Sequence, residues 1–302
     1  MDMSWIHSIT LSSFMNLEPI QVTLENLKNH GINTVEVYGE PDLIDVKNLM
    51  QQFDSFSIDV SGITGMWGLS SANNKSRNLV TADNNSRIAA QNYVKKCVAL
   101  CHQLGGKTFN ICLFSDKPLI SDGNHRFLPV YKKRKLISSL LHPFRELAEY
   151  ASDYDINLVI EPLNRYSTPV CTNSEDAKYI VNQVNHENLG IMLDTFHMNI
   201  EEDSIEDAIV NSRDLRHMNI EEDSIYDTIV ASSRLLKHVH VSDNNRKMPG
   251  FAHIDFDAVV RGLKKIKYSK YVTFEPTIES TDYEVDLKAG LEHFTSLSKL
   301  RN

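Results

Sequence analysis

The sequence is short of several features that would place a chain quickly. It has four cysteines in 302 residues, Cys97, Cys101, Cys112 and Cys171, with no Cys-x-x-Cys pair and no disulfide-framework spacing. Cys97 and Cys101 lie four apart in a helical pattern and are expected as buried thiols rather than a metal pair. No run approaches the ~18 apolar residues of a membrane span. No long apolar stretch follows Asp2, so a signal peptide is not expected. Glycine-rich phosphate loops are missing: there is no GxGxxG and no GxxxxGK[ST], and Gly105-Gly106 reads as a helix stop. Positive charge is in deficit. The 31 Lys and Arg against 40 Asp and Glu leave a formal charge of −9, which argues against broad binding of nucleic acid or anionic membrane. A cytoplasmic, reducing location is the expectation.

What is present is a regular alternation. Short apolar runs occur at Trp5–Phe14, Asn33–Tyr38, Ser57–Gly62, Lys107–Phe114, Asn157–Glu161, Gly190–Asp194, His238–Ser242 and Tyr271–Glu275. They are rich in β-branched residues, as buried parallel strands are. Between them lie 3.6-residue stripes. Leu17–His30 stops at Gly31, a C′ glycine. Ser86–Leu104 sets Ile88, Tyr93, Val94, Cys97, Val98 and Cys101 on one side, and Val130–Tyr154 is broken near Pro143. Ser174–Val184 opens with Ser174 as the expected cap and Glu175 and Asp176 in its first turn. Asp255–Ile266 and Val285–Leu300 close the set. Eight β-then-α units predict the α/β class and a (β/α)8 TIM barrel, one domain over residues 1–302, rather than an open doubly wound sheet.

One segment repeats. His197–Val210 returns as His217–Val230, identical at twelve of fourteen positions and offset by 20 residues. Two copies are too few for a solenoid, so a local tandem duplication over about 197–236 is expected, without new function. Twenty residues are about 5.6 helical turns, so the insert cannot lengthen one helix and keep its apolar face in register. The expectation is one helix, a break near Met218–Asp223, and a second helix running to Leu236, one packed on the barrel and one projecting. His217 is expected at the surface.

The chemistry gathers at the ends of the later runs. Leu193-Asp194-Thr195-Phe196-His197-Met198-Asn199-Ile200-Glu201-Glu202 puts an acid at a strand tip and a histidine just beyond it. Ile160-Glu161-Pro162, His238-Val239-His240 and Phe274-Glu275-Pro276 end similar runs. In a barrel the C-terminal ends of the strands share one site. Glu161, Asp194, Glu275 and one histidine would offer hard oxygens and an imidazole to Mn²⁺, Mg²⁺, Co²⁺ or Zn²⁺, with no thiolate to force zinc. Three carboxylates at one point repel each other unless a cation neutralises them. His238 and His240 are expected to face opposite ways, with only one pointing inward, and spacing leaves the choice open. Arg246, in the turn-rich stretch Ser242–Gly250, suits an oxyanion or hydroxyls. Trp67, after the third run, suits the apolar face of a sugar.

These motifs resemble a known family. Glu161-Pro-Leu-Asn164-Arg165-Tyr166, the Leu193–Glu202 stretch, His238-Val-His-Val-Ser-Asp-Asn-Asn-Arg246 with Pro249-Gly250, and Phe274-Glu275-Pro276 are similar to the sugar isomerase/epimerase group of xylose-isomerase-like barrels, nearest the D-tagatose/D-psicose 3-epimerase type. The resemblance runs over nearly the whole chain and is most specific from Glu161 onward. It implies Glu161, Asp194, His240 and Glu275 as ligands of one divalent ion, Mn²⁺ first, which selects His240 over His238. It implies Glu161 and Glu275 as the acid/base pair on opposite faces of the substrate carbon, and His197 and Arg246 as contacts to substrate oxygens. It implies a small sugar as substrate and a homo-oligomer, with no nucleic-acid or membrane partner. One departure stands out: such epimerases usually carry a second Glu six residues after the first, and here that position is Ser167.

Removing a proton beside a ketone leaves an enediolate. Reprotonation of the same carbon from the other face is epimerisation, and reprotonation of the neighbouring carbon is aldose–ketose isomerisation. The leading expectation is therefore a metal-dependent ketose 3-epimerase or sugar isomerase. An inosose-dehydratase-like lyase, which changes substrate mass by one water, and a hydroxypyruvate-isomerase-like enzyme are alternatives on the same barrel. An endonuclease-IV-like repair enzyme needs more ligands and a basic DNA face. A barrel disabled by the duplication is the non-enzymatic alternative.

Overall fold

The apolar runs become eight strands: β1 Ile6–Thr10, β2 Thr34–Tyr38, β3 Asp59–Thr64, β4 Thr108–Cys112, β5 Asn157–Glu161, β6 Leu189–Asp194, β7 Leu236–Val241 and β8 Tyr271–Phe274. They pair in chain order, all parallel, and β1 closes on β8 from Ile6↔Tyr271 to Ile9↔Phe274. The molecule, a computed structural model, is described over residues 5–67, 77–115, 128–202, 204–211 and 235–299, with only the backbone at 207, 208 and 211. Among these residues no helix is long and apolar enough to cross a membrane.

Alternation along each strand makes two surfaces. Leu158 and Ile160, Ile191 and Leu193, Val239 and Val241, and Val272 and Phe274 are buried in the continuous apolar core. The helices supply the other side of that core. Phe256, Val259, Val260 and Leu263 are buried along helix Phe256–Lys265, at the i, i+3, i+4, i+7 spacing of one face. Its N-cap Asp255 accepts a hydrogen bond from the Ala258 N–H, a contact whose loss to alanine costs about 1 kcal/mol.

The inside of the barrel is polar, where bulky aliphatic layers are the common filling. Ser8 and Ser61 share a hydrogen bond of 2.8 Å. Thr108 and Thr273 meet the two ring nitrogens of His238 at 3.3 and 3.0 Å. The strand register shifts between Val35 and Glu36 on β2 and between Ile191 and Met192 on β6. Such irregularities turn the side chains that follow, and here those that follow include Glu36 and Asp194.

Several local expectations need correction. β1 ends at Thr10, and Leu11–Phe14 is a 3₁₀ turn that the Thr10 hydroxyl caps. The helix Val46–Phe56 has no counterpart among the expected stripes; Asp45 caps it and Leu49 and Phe53 bury its face. Asn173, not Ser174, is the N-cap of Ser174–Val184, because its side chain accepts from the Asp176 N–H. The break in Val130–Tyr154 falls at Ser139–Leu140, and Pro143 sits in the first turn of Leu141–Ser152, where its missing N–H costs no bond. Ile88 is 45% exposed rather than on the buried stripe of helix Asn84–Gln103. Cys97 and Cys101 are buried free thiols, as expected.

The first copy of the repeat forms helices Thr195–Glu201 and Ile205–Asn211. Ile209 packs against helix Phe256–Lys265 at Gly262. Leu236 opens β7, so no helix reaches it. The break expected near Met218–Asp223, and His217, lie outside the described residues.

Candidate active site

Parallel pairing brings the four strand ends to one mouth. Glu161 ends β5, Asp194 ends β6, His240 is one residue from the end of β7, and Glu275 directly follows β8. One donor atom from each lies within 4.8 Å of all the others. Asp194 and His240 are fully buried and Glu161 nearly so, and Glu275 borders a cavity of about 450 Å³. Tyr38, Glu40, Trp67, His197 and Arg246 line the same cavity. Trp67 is half exposed and stands edge-on to Phe114 at 4.6 Å.

His238 and His240 both point into the barrel, which corrects the expectation of opposite faces. Residues i and i+2 of a strand share a face, and the rings lie 5.2 Å apart in successive layers. His240 is at the level of the carboxylates. His238 is one layer deeper, between Thr108 and Thr273.

Each carboxylate sits in a different environment. Glu161 Oε2 accepts from Asn110 Nδ2 at 2.7 Å and from the Cys112 thiol at 3.1 Å. Asn110 is oriented through its side-chain Oδ1, which accepts from the Gly65 N–H. Burial pushes the Cys112 thiol well up, so it stays protonated and donates. Burial also raises Glu161, to about 8; the charges of Glu275 and Asp194 add to this and His240 opposes it. Burial works on Glu275 in the same direction, but His240 and Arg246 outweigh it and hold Glu275 at about 2. Arg246 Nη1 lies 2.7 Å from Asp194 Oδ2 and 2.9 Å from Glu275 Oε2, and its guanidinium stacks 4.2 Å over Phe196. Arg246 adopts φ +58°, a conformation a non-glycine residue keeps only where its surroundings demand it.

The donors suit a divalent cation. His240 Nδ1 is buried and has no hydrogen-bond partner, although Glu275 Oε2 is 3.3 Å away. An imidazole nitrogen left open among three carboxylate oxygens matches the mixed oxygen and nitrogen sets that bind such ions. His197 is arranged differently. Its Nδ1 receives the Asn164 backbone N–H at 3.1 Å and lies 2.9 Å from Asn164 Nδ2. Ser167, where the related motif has Glu, turns its hydroxyl to Asn164 Oδ1 at 3.5 Å and brings no carboxylate.

Sequence reasoning assigned no role to Glu36, Asn110, Cys112 or Asn164. A signal existed for Glu36, the single charged residue of the run Thr34–Tyr38, and for Asn110, the single amide of Thr108–Cys112.

An eight-stranded parallel barrel with a polar, cation-suited centre at its C-terminal mouth defines the class. The chain belongs to the family described as Xylose isomerase-like TIM barrel, which matches residues 24–297. It is 34% identical over 134 residues to the D-psicose 3-epimerase of Agrobacterium fabrum, covering 44% of this chain and 39% of that protein. It is 32% identical over 149 residues to the 3-dehydro-D-guloside 4-epimerase of Escherichia coli, covering 49% of this chain and 48% of that one. These matches therefore span less than half the length of either relative. In fold it is similar to the D-psicose 3-epimerase of Clostridium cellulolyticum H10 solved with D-tagatose: TM-score 0.74, 21% identity, 97% of this chain and 99% of that one.

Proposed function

We propose that the chain is a divalent-metal-dependent sugar isomerase/epimerase that acts on a ketose, moving the proton at C3 through an enediolate. The observation that carries the reading is the meeting of Glu161, Asp194, His240 and Glu275, with donor atoms within 4.8 Å of one another, beside a cavity that Glu161 and Glu275 line. The epimerase names of two relatives support the reaction class. The four residues would hold the ion, Mn²⁺ first by the resemblance to the epimerases, with Co²⁺, Mg²⁺ or Zn²⁺ also suited because no thiolate joins the set to force zinc. When bound, such an ion supplies Lewis-acid stabilisation of charge on the substrate carbonyl and neighbouring hydroxyl oxygens.

The chain's own residues do the rest. Glu161 and Glu275 act as the acid/base pair, one removing the proton beside the ketone and the other returning it to the opposite face. The Cys112 and Asn110 donors occupy Oε2 of Glu161, which leaves Oε1 for the cavity. His197 presents a donor to a substrate oxygen, and Arg246 pairs its charge with Asp194 and Glu275 beside it. Trp67 covers an apolar sugar face at the rim. The substrate is a small sugar rather than nucleic acid. The protein works in the cytoplasm as a homo-oligomer, one domain over residues 1–302 with the repeat as a local elaboration.

The test is calorimetric titration of Mn²⁺ into chelator-treated wild type and Glu275→Gln, followed by a ketohexose panel with a 3-keto-glycoside included. One ion per chain, weakened in the variant, with interconversion of C3 epimers, is the expected result. Loss of one water from the substrate would make the protein a lyase. An ion site indifferent to Glu275→Gln would sink the proposed ligand set.

A further inference from the structure

Glu36 is a carboxylate in the barrel interior, 1% exposed, that neither binds nor reacts in the scheme above. Its Oε2 lies 2.8 Å from His240 Nε2, and its Oε1 lies 3.2 Å from His238 Nε2. The Thr64 hydroxyl donates to Oε2. His238 is itself held by Thr108 and Thr273. Glu36 thus joins three strands: it stands on β2 and is tied to β3 through Thr64 and to β7 through both histidines.

The chemistry of a carboxylate limits what this contact can be. An ionised carboxylate only accepts, so the proton of the 2.8 Å contact belongs to His240 Nε2. In the neutral ring that coordination requires, the other nitrogen, Nδ1, is then the one that offers a lone pair. It is the atom found buried, without a hydrogen-bond partner, 3.3 Å from Glu275 Oε2. Ring plane and tautomer are both set from behind, on the side away from the cavity. Carboxylates that orient ligand histidines in this way usually contribute about 10- to 100-fold to metal affinity.

Glu36, His238 and His240 also meet the spacing of a metal group in their own right, with donor atoms within 4.8 Å. A second ion there would have to share His240 with the first and strip both of its nitrogens of protons. Contacts of 2.8 and 3.2 Å are ordinary hydrogen-bond lengths that need no such step.

We propose that Glu36 is a positioning residue for the metal site: it holds His240 with Nε2 protonated and Nδ1 directed at Glu161, Asp194 and Glu275. The inference rests on the metal-dependent reading above and deepens it. Affinity for the ion depends on a residue that does not touch it.

The experiment titrates Mn²⁺ into chelator-treated wild type, Glu36→Gln and Glu36→Asp, with thermal unfolding of each metal-free protein alongside. ¹⁵N–¹H spectra of labelled zinc-loaded protein read the His240 tautomer. Glu36→Gln is expected to weaken binding about 10- to 100-fold, at an unchanged one ion per chain, and to mix the His240 tautomers. Glu36→Asp, which keeps the charge, is expected to recover part of the loss. A merely structural role would lower the unfolding temperature and leave the affinity of the folded protein where it was; that result overturns the proposal. Two ions in wild type and one in Glu36→Gln also overturn it, because Glu36 would then be a ligand. No ion in wild type removes this inference and the metal-dependent reading together. Should Glu36→Gln fail to fold, Thr64→Val loosens the same carboxylate and leaves its charge. A loss of about three- to tenfold is expected there, and unchanged affinity overturns the proposal.

Discussion

The backbone N–H of Asn164 meets Nδ1 of His197 at 3.1 Å. A backbone N–H can only donate, so Nδ1 accepts and the neutral ring carries its proton on Nε2. That nitrogen borders the cavity beside Arg246 Nη2, 3.3 Å away, which is itself a donor. Burial lowers the His197 pKa, and the Arg246 charge adds to this while Asp194 opposes it. The ring therefore stays neutral at pH 7 and offers one N–H to a substrate oxygen. Replacing it, as in His197→Ala, is expected to reduce kcat on the order of 10²- to 10³-fold, the usual effect of removing one such donor. In ¹⁵N spectra His197 should show the Nε2–H tautomer from pH 6 to pH 8. A ring that titrates near 6.5 would contradict this arrangement.

Metal binding should release protons. Without an ion, Glu161 keeps its proton up to about pH 8. His240 is also held protonated: burial disfavours its charge, but Glu36 and Glu275 outweigh that and raise it well above 6.5. Coordination needs the deprotonated forms, so apparent Mn²⁺ affinity should climb as pH rises from about 6 through about 8, the range over which Glu161 gives up its proton. Calorimetry in two buffers of different ionisation enthalpy measures the protons released. A binding enthalpy identical in both buffers would contradict the prediction.

Arg246→Lys should not be a mild change. Nη1 bridges Asp194 and Glu275 while the planar guanidinium stacks on Phe196. A lysine keeps the charge and loses the stacked plane and the fork. Charge-assisted hydrogen bonds are worth about 1.5–3 kcal/mol each, so kcat/KM is expected to fall by roughly 10- to 150-fold. Steady-state kinetics at saturating Mn²⁺ would show it; a change under twofold would mean Arg246 is not engaged in turnover.

Gly65→Ala tests the support of Glu161 from the far side. A Cβ there would overlap the Phe109 ring, and overpacking of this kind costs about 1–3 kcal/mol. The Gly65 N–H also orients Asn110, which donates to Glu161. Both a lower unfolding temperature and weaker Mn²⁺ binding are expected. Loss of stability with unaltered binding would mean that Asn110 holds Glu161 without help from Gly65.

The linear order of elements was enough to set the architecture. Apolar runs such as Asn157–Glu161 and Gly190–Asp194 alternate with amphipathic stripes, and that order leaves parallel strands with helical crossovers as the way to bury both faces of each strand. It also marked Glu161, Asp194 and Glu275, because an acid at the end of an apolar run is conspicuous in one dimension. Short elements without a strong stripe, such as Val46–Phe56, and caps decided by one hydrogen bond, as at Asn173, were less legible.

The support of the site came from contacts between strands far apart in the chain. Glu36 is 204 residues from His240, and Asn110 is 51 from Glu161. No local pattern links such partners: closure of the barrel brings β2 to face β7, and parallel pairing sets β4 beside β5. The pleat placed His238 and His240 on one face, and contacts with other strands then gave them different work: Thr108 and Thr273 surround one ring, while the other lies open to three carboxylates. Periodicity says which way a side chain points. What it meets there is set by strands that are distant in the chain.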